Sequence, residues 1–503
     1  MGTVLDLFRG AVTTMADPVP DAPPAQRKSR RAKLRYDGAR TSTLTRGWIA
    51  ASGDAASEIA PDIGRLRDRA REAERNRGLV TRILERFQTA VVGAVGPRPR
   101  FLTGDDRLDK EAADLWRRWT PVSSASDRLT FEALVGLCLR ATVRDGEGVV
   151  RLRARRLEDN LPVPMQLQLL ESDHLDTDKS MELANGGRIV NGVETGPLGQ
   201  VVAYWIRPRH PGDYLAAGTN YQSTRVDAAD VLHVYHPTRI GQRRGASWLS
   251  PVLDAVWHHT ELRRSERVRL RGSACLFASV EGAGADDEEG IAPRSPTDGE
   301  EAGASGYVED ADGNPVNDLP MGAIVNVAHG NSLKLHTPQA AIGYVEAVKA
   351  EERDIARGVG LMYEAVSGDL SQVNWASYRV GDVGWRAFAD FVRAQVLEPM
   401  MLRPLIDAWL AAAVASGALR RWPANARVEW RWPPHEEMDR AASAEADRAE
   451  LANGLTSFEQ LCEKRGTTLT DQIASLRRSE DALREAGLTF VWRQQDAASR
   501  SAG

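Results

Sequence analysis

The spacing of apolar positions divides the chain into long helical stretches around a β-rich middle. From 60 to 95, Leu66, Ala70, Ala73 and Arg77 lead into Val80, Ile83, Leu84 and Phe87 at three- and four-residue intervals. That period predicts one amphipathic helix, opened by Pro61 and Asp62 and closed by Gly93, Gly96 and Pro97. A second helix is predicted over about 127–144. The pattern then shortens. Val149-Val150-Arg151-Leu152, Gln166-Leu167-Gln168-Leu169-Leu170 and the run 200–206 read as strands, and Gly196-Pro197-Leu198-Gly199 as the turn of a hairpin over 188–206.

Helical spacing returns at Ser250-Pro251, where Ser suits a cap and Pro the first helical position. This helix is expected to run to about Arg271, with Arg263, Arg264, Arg267, Arg269 and Arg271 in its later turns, where the helix dipole favours cations. A further helix is predicted over 339–361 and is broken by Ser367-Gly368-Asp369. Another is predicted over 377–415, with Pro399 and Pro404 as kink positions. Residues 422–432 alternate like a strand, as do short runs at 324–327 and 333–335. Helices follow Pro433-Pro434, with Thr456 and Glu459 spaced as a capping box.

Two segments depart from this pattern. Residues 1–26 are rich in Ala, Pro and Asp and read as disordered, and 27–46 carry eight bases against Asp37 alone, a solvated tail or a basic arm. Residues 281–312 hold eleven acids against Arg294, with interspersed Gly, Ala and Pro, and read as a polar insertion.

The chain has 503 residues, 42% hydrophobic and 27% charged, which is enough for a large core. Its net charge of -5 excludes a polybasic nucleic-acid coat but not local DNA contact. Cys138, Cys275 and Cys462 are too few and too scattered for a disulfide scaffold or a thiolate metal site. No apolar run reaches the ~20 residues of a membrane helix, and the start has neither a secretory nor a myristoylation pattern, so a product that is cytosolic when made is expected. Thirteen Trp against nine Phe fit either subunit contacts or a Trp-rich core.

The common catalytic signatures are missing. There is no Gly-Lys pair, hence no phosphate loop, and no Gly-x-Ser-x-Gly elbow. His435-Glu436-Glu437-Met438-Asp439 resembles a zinc helix but ends in Asp. His233, His236, His258 and His259 read as structural or solvated. No catalytic residue, cofactor site or metal site is expected.

Five stretches, in order, carry a resemblance. The first is Ala39-Arg40-Thr41-Ser42 with Thr45-Arg46-Gly47-Trp48. The second is Arg75-Asn76-Arg77 with Val91-Val92-Gly93. The third runs from Asn191-Gly192-Val193-Glu194 through Gly199 and Ala203-Tyr204-Trp205 to His210-Pro211-Gly212-Asp213. The fourth joins His233-Val234-Tyr235, Arg239-Ile240-Gly241-Gln242-Arg243-Arg244-Gly245 and Trp248-Leu249-Ser250-Pro251-Val252-Leu253. The fifth is Gly358-Val359-Gly360, Ser367-Gly368-Asp369-Leu370-Ser371 and Asn374-Trp375-Ala376-Ser377-Tyr378-Arg379. Over about 36–490 the chain resembles the lambda-like portal proteins of tailed phages. It departs at Trp375-Ala376, where that family more often has Tyr-Ser.

The resemblance implies an α+β portal-type fold with long stem helices, a mixed α/β wing, a small α/β clip and a helical C-terminal crown. Its layout implies a disordered arm over 1–35, wing at 36–246 and 379–433, stem helices at 247–273 and 339–361, clip at 274–338, tunnel loop at 362–378 and crown at 434–503. It implies a structural ring, typically a dodecamer, at one capsid vertex. Such a ring passes double-stranded DNA without reading sequence, docks the terminase large subunit and then head–tail connector proteins, and nucleates procapsid assembly with major capsid and scaffold proteins. No enzymatic activity, no cofactor and no membrane partner are implied, and the location is the virion, with host cytoplasm during assembly. Asn374 and Arg379 are the expected DNA-channel residues, followed by Arg263, Arg264 and Arg267. For the stem arginines the alternative is salt bridges between subunits to acids such as Glu351, Glu352 and Asp354. A head–tail adaptor ring, normally a shorter chain, and a packaging-associated nucleic-acid enzyme are the competing readings. A membrane pore fails for lack of spans.

Overall fold

A computed structural model describes residues 52–126, 128–216, 222–274, 277–281, 308–309, 315–316, 332–336, 343–435, 437 and 439–488, with positions 43, 46–48 and 50 before them. The expected basic arm, most of the acidic insertion and the strand at 324–327 lie outside those residues. The chain divides into two units, Met1–Ser52 and Gly53–Gly503. In the first, Arg46 and Gly47 form a turn and Trp48 is exposed.

The second unit begins with α1 (Ala55–Ile59), α2 (Ile63–Asn76) and α3 (Gly78–Val91). The single helix expected over 60–95 is therefore two, because Arg77 takes an extended conformation (φ -129°, ψ 104°) ahead of Gly78, a poor helix former. Thr81 Oγ1 bridges the break by donating to the Glu74 carbonyl at 2.7 Å. β1 (Arg98–Leu102), α4 (Asp106–Trp119) and α5 (Phe131–Asp145) follow, α5 capped by Thr130. A three-stranded antiparallel sheet has β2 (Glu147–Ala154) between β3 (Met165–Leu170) and β9 (Val231–Tyr235). The region between is a meander of β4 (Met181–Glu182), β5 (Arg188–Val190), β6 (Val193–Thr195), β7 (Val201–Ile206) and β8 (Thr224–Asp227). The hairpin expected over 188–206 is thus three strands, because Asn191 (φ 50°) and Gly192 (φ 80°) supply the left-handed pair of a two-residue turn.

α6 (Leu253–Ala274) starts two residues after Pro251, not at it. Residues 247–252 form successive turns instead, and Ser250 Oγ donates to the Ser247 carbonyl at 2.7 Å rather than capping. α6 leads to β10 (Phe277–Glu281), then β11 (Val308–Glu309), β12 (Pro315–Val316) and β13 (Ser332–His336). β10 pairs antiparallel with β13, and β13 precedes α7 (Tyr344–Gly358). α8 (Tyr363–Ser367) comes next. The helix predicted over 377–415 is α9 (Trp375–Val392), a π-helical stretch Arg393–Leu402 and α10 (Arg403–Ala415). Pro399, which lacks an N–H, sits in the π stretch, and Pro404 opens α10 where no N–H is needed. β14 (Arg427–Arg431) pairs with β1 across the chain. The chain ends in α11 (Arg440–Ala452), α12 (Phe458–Lys464) and α13 (Leu469–Glu485). The capping box of α12 is Ser457 with Gln460, one residue beyond the expected Thr456 and Glu459, since Thr456 Oγ1 donates to Gln460 Oε1 instead.

The main core joins α3, α5, the β2 sheet, the π stretch and α10. Trp116, Trp119, Phe131, Trp409 and Trp430 form its aromatic centre, with ring centroids 5.0–6.4 Å apart. Trp119 Nε1 donates to the Met165 carbonyl at 2.7 Å. Most of the tryptophans are therefore core material. Among the described residues no helix is long and apolar enough to cross a membrane.

Candidate functional site

α6 and α7 lie side by side. Val252 meets Gly358, where an added Cβ would come 2.4 Å from its Cγ1, and His259 meets Glu352 at 3.2 Å. Position rises along one helix as it falls along the other, so the pair is antiparallel, with β10 and β13 continuing it. Arg263 faces this seam, its Nη1 4.0 Å from Glu352 Oε1. This contact lies within one chain. Asp354 pairs with Arg357 instead. Arg264 and Arg267 are exposed and make no ion pair with a described residue.

The segment after α7 is tied down at several points. Arg86 Nε donates to the Ala365 carbonyl at 3.0 Å, and the Arg353 guanidinium lies 5.0 Å from the Tyr363 ring centroid. Gly368 (φ 73°) ends α8 in the left-handed region. Asp369 accepts from the Ser371 N–H at 3.0 Å and the Ser371 hydroxyl at 2.6 Å, and Lys349 Nζ lies 2.9 Å from its other oxygen. The Ser371 hydroxyl and the Lys349 ammonium hold its carboxyl well below the usual carboxylate range. Gly368 and Asp369 are turn-formers. Of the expected tunnel loop 362–378, residues 363–367 are helical and 375–378 are the first turn of α9.

Asn374 is the N-cap of α9, its Oδ1 accepting from the Ser377 N–H at 2.8 Å. Arg379 is exposed one turn further on, beside a recess lined also by Asp382, Glu437, Asp439 and Lys464. These two positions share a helix end, whereas Arg263, Arg264 and Arg267 belong to α6.

Sequence reading missed a buried ionic cluster at the base of the α6–α7 pair. Glu147, at the start of β2, is fully buried. Arg244 donates to it from Nη2 at 2.5 Å and Nε at 2.9 Å, the Gly245 N–H at 3.1 Å, and His233 Nε2 lies 2.9 Å away. Arg67 of α2 reaches the same carboxylate at 3.4 Å and Asp173 at 3.1 Å. Burial alone would raise the Glu147 pKa, but the charges of Arg244 and His233 outweigh it and hold it well below the usual range. Asp173 behaves likewise: burial opposes ionisation, and Arg67 with Arg71 bring it down to about 2. Gly245 packs directly on Gly146, where a Cβ would come 1.9 Å from a carbonyl oxygen. The cluster fixes the 239–252 turn that launches α6. His233 and Arg244 stood in the sequence motifs, but nothing there paired them with Glu147, 86 and 97 residues away.

Glu171, Asp173 and His210 bring ligand-type atoms within 4.8 Å of one another, yet Arg71 already sits 2.6 Å from Asp173. His435 contacts Asp390 at 3.1 Å, and Asp439 caps α11, so the zinc-like pattern serves structural contacts.

The family description "Phage portal protein, lambda family" matches residues 41–393. The chain is 25% identical over 464 residues to a probable portal protein of Halomonas phage phiHAP-1, covering 89% of this chain and 86% of that one. It is 23% identical to the portal protein of Escherichia phage N15, covering 88% and 89%. It is 22% identical to portal protein B of Escherichia phage lambda, covering 88% of each. Among solved structures it is similar to a chain in the neck of a native gene transfer agent particle computed with C12 symmetry (18% identity, 81% and 93% covered, TM-score 0.42). It is also similar to an HK97 family phage portal protein from Corynebacterium diphtheriae (13% identity, 75% and 96% covered, TM-score 0.34). At those TM-scores the folds superpose only loosely, and the assignment stands on sequence. With the family match spanning well over half of its length, the chain belongs to the lambda family of phage portal proteins.

Proposed function

We propose that this chain is the subunit of a portal ring of about twelve copies at one capsid vertex, through which viral double-stranded DNA is packaged and ejected. The ring is structural and carries out no covalent chemistry. It docks the terminase large subunit during packaging and head–tail connector proteins afterwards, and it seeds procapsid assembly with capsid and scaffold proteins. In this reading α6 and α7 are the stem, the segment between them the clip, 362–378 the tunnel loop, and α11 to α13 the crown.

The family match carries the proposal, and two features of the fold support it. The antiparallel α6–α7 pair with strands at its end is a stalk bearing an insertion. Helix α9 leaves Val380 (76% exposed), Val383 (61%) and Phe391 (44%) on one face. An exposed apolar face on a soluble chain marks a contact surface. A second copy of the chain is the occupant proposed, since a closed ring needs a heterologous interface on every subunit. A duplex passing through must not be gripped, so DNA-facing groups such as Asn374, Arg379, Arg264 and Arg267 would touch phosphate without reading bases.

The test is electron microscopy of the purified full-length chain. Rings with an open centre and about twelve subunits are expected. A uniform monomer that stays monomeric with scaffold protein co-expressed would overturn the ring reading, and ATP hydrolysis by the isolated chain would favour a packaging enzyme.

A further inference from the structure

The outer side of α4 and the turn after α10 enclose an open groove of about 830 Å³. Six cationic side chains line it: Arg107, Lys110, Arg117, Arg118, Arg420 and Arg421. All six are exposed. Only Arg117 makes an ion pair with a described residue, Asp114. Of the other acids in the groove, Asp105 is committed to capping α4, accepting from the Arg107 and Leu108 N–H groups. Glu111 is left to face the remaining five cations. Elsewhere on the wing, arginines such as Arg71, Arg140 and Arg144 are matched by carboxylates. Here six cations face three carboxylates, and only Asp114 forms an ion pair with one of them.

We propose that this groove is a second contact surface for double-stranded DNA, outside any channel. The lining favours a phosphate backbone over an acidic protein segment. Protein partners are anchored by buried aromatic and aliphatic side chains, and Leu108 is the single apolar residue here. Phosphate contacts need only cations and no apolar anchor. The groove is also remote along the chain from the proposed tunnel loop. In the portal reading both lining segments, 105–118 and 420–421, fall in the wing rather than in the stem or tunnel loop. The choice of DNA over another polyphosphate rests on the portal reading, while the polyanion site itself rests on the groove.

The experiment uses the full-length ring and a relaxed, covalently closed circular duplex, which cannot thread a closed ring. Binding is measured across a salt series for wild type and for a variant carrying R118Q, R420Q and R421Q. The wild type is expected to bind the circle. The variant should bind at least tenfold more weakly at low salt, with the slope of log affinity against log salt shallower by about 2–3, near 0.9 for each phosphate no longer neutralised. R107Q with K110Q, at exposed sites on α4, repeats the test on separate positions. Unchanged binding and slope in both variants would make the groove an ordinary solvated surface and overturn the proposal. Poly-glutamate displacing the circle at equal charge concentration would overturn it in favour of an acidic protein partner. Ring formation is imaged on the same samples, so failure of the portal reading shows separately: binding that persists without rings leaves the groove standing and removes the argument for DNA.

Discussion

Glu147 shows how much one residue can hold. Its carboxylate collects Arg244, Arg67, His233 and the Gly245 N–H from separate parts of the chain. Removing one partner of a buried pair leaves the others desolvated and uncompensated, at about 3–5 kcal/mol. Glu147→Gln is expected to lower stability by that order in urea unfolding. Asp173 adds a pH dependence. Its folded pKa, about 2, is depressed from 3.8, so its contribution is present above the unfolded value and is lost as pH falls from about 4 through 2. The stability gap between wild type and Asp173→Asn, about 2 kcal/mol near pH 6, should close as pH approaches 2. A gap that stays constant over this range would rule out the linkage.

At the scale of elements, Asn374 matters as the cap of α9. Asn374→Ala should cost about 1 kcal/mol and expose the first turn of α9 to faster amide exchange. Asn374→Asp keeps the cap and adds a negative charge. If Asn374 also approaches phosphate, the Asp variant should retain normal exchange while weakening DNA passage in a packaging assay. If it is a cap alone, the Asp variant should behave as wild type in both. Helix spacing made α5, α7 and the 377–415 run legible in advance. It did not reveal the break at Arg77, whose guanidinium lies 5.2 Å from the Trp257 ring centroid and pairs with Glu72. Trp257 lies on α6, some 180 residues further along the chain, and periodicity does not record such a contact.

At the scale of the whole molecule, the apolar face of α9 and the ring stand or fall together. Val383 is exposed in the single chain, so Val383→Glu should leave the melting temperature of the unassembled chain unchanged. In the ring it would bury an unpaired charge, and the ring fraction should drop by at least tenfold by sedimentation. Intact rings in that variant would move the seam elsewhere on the surface.

Local sequence determined the helix-rich ends, the β-rich middle, the turn at Gly368-Asp369 and the portal motifs, because caps, turns and periodicity depend on residues within one or two turns of each other. Tertiary structure alone decided the rest. It paired β1 with β14 across some 330 residues, turned Arg263 onto Glu352, and gathered Arg67, Glu147, Asp173, His233 and Arg244 into one buried cluster. It also set Arg118 beside Arg420 and Arg421 in one groove. Charge–charge contacts of that kind act through space, and their partners have no characteristic spacing along the chain.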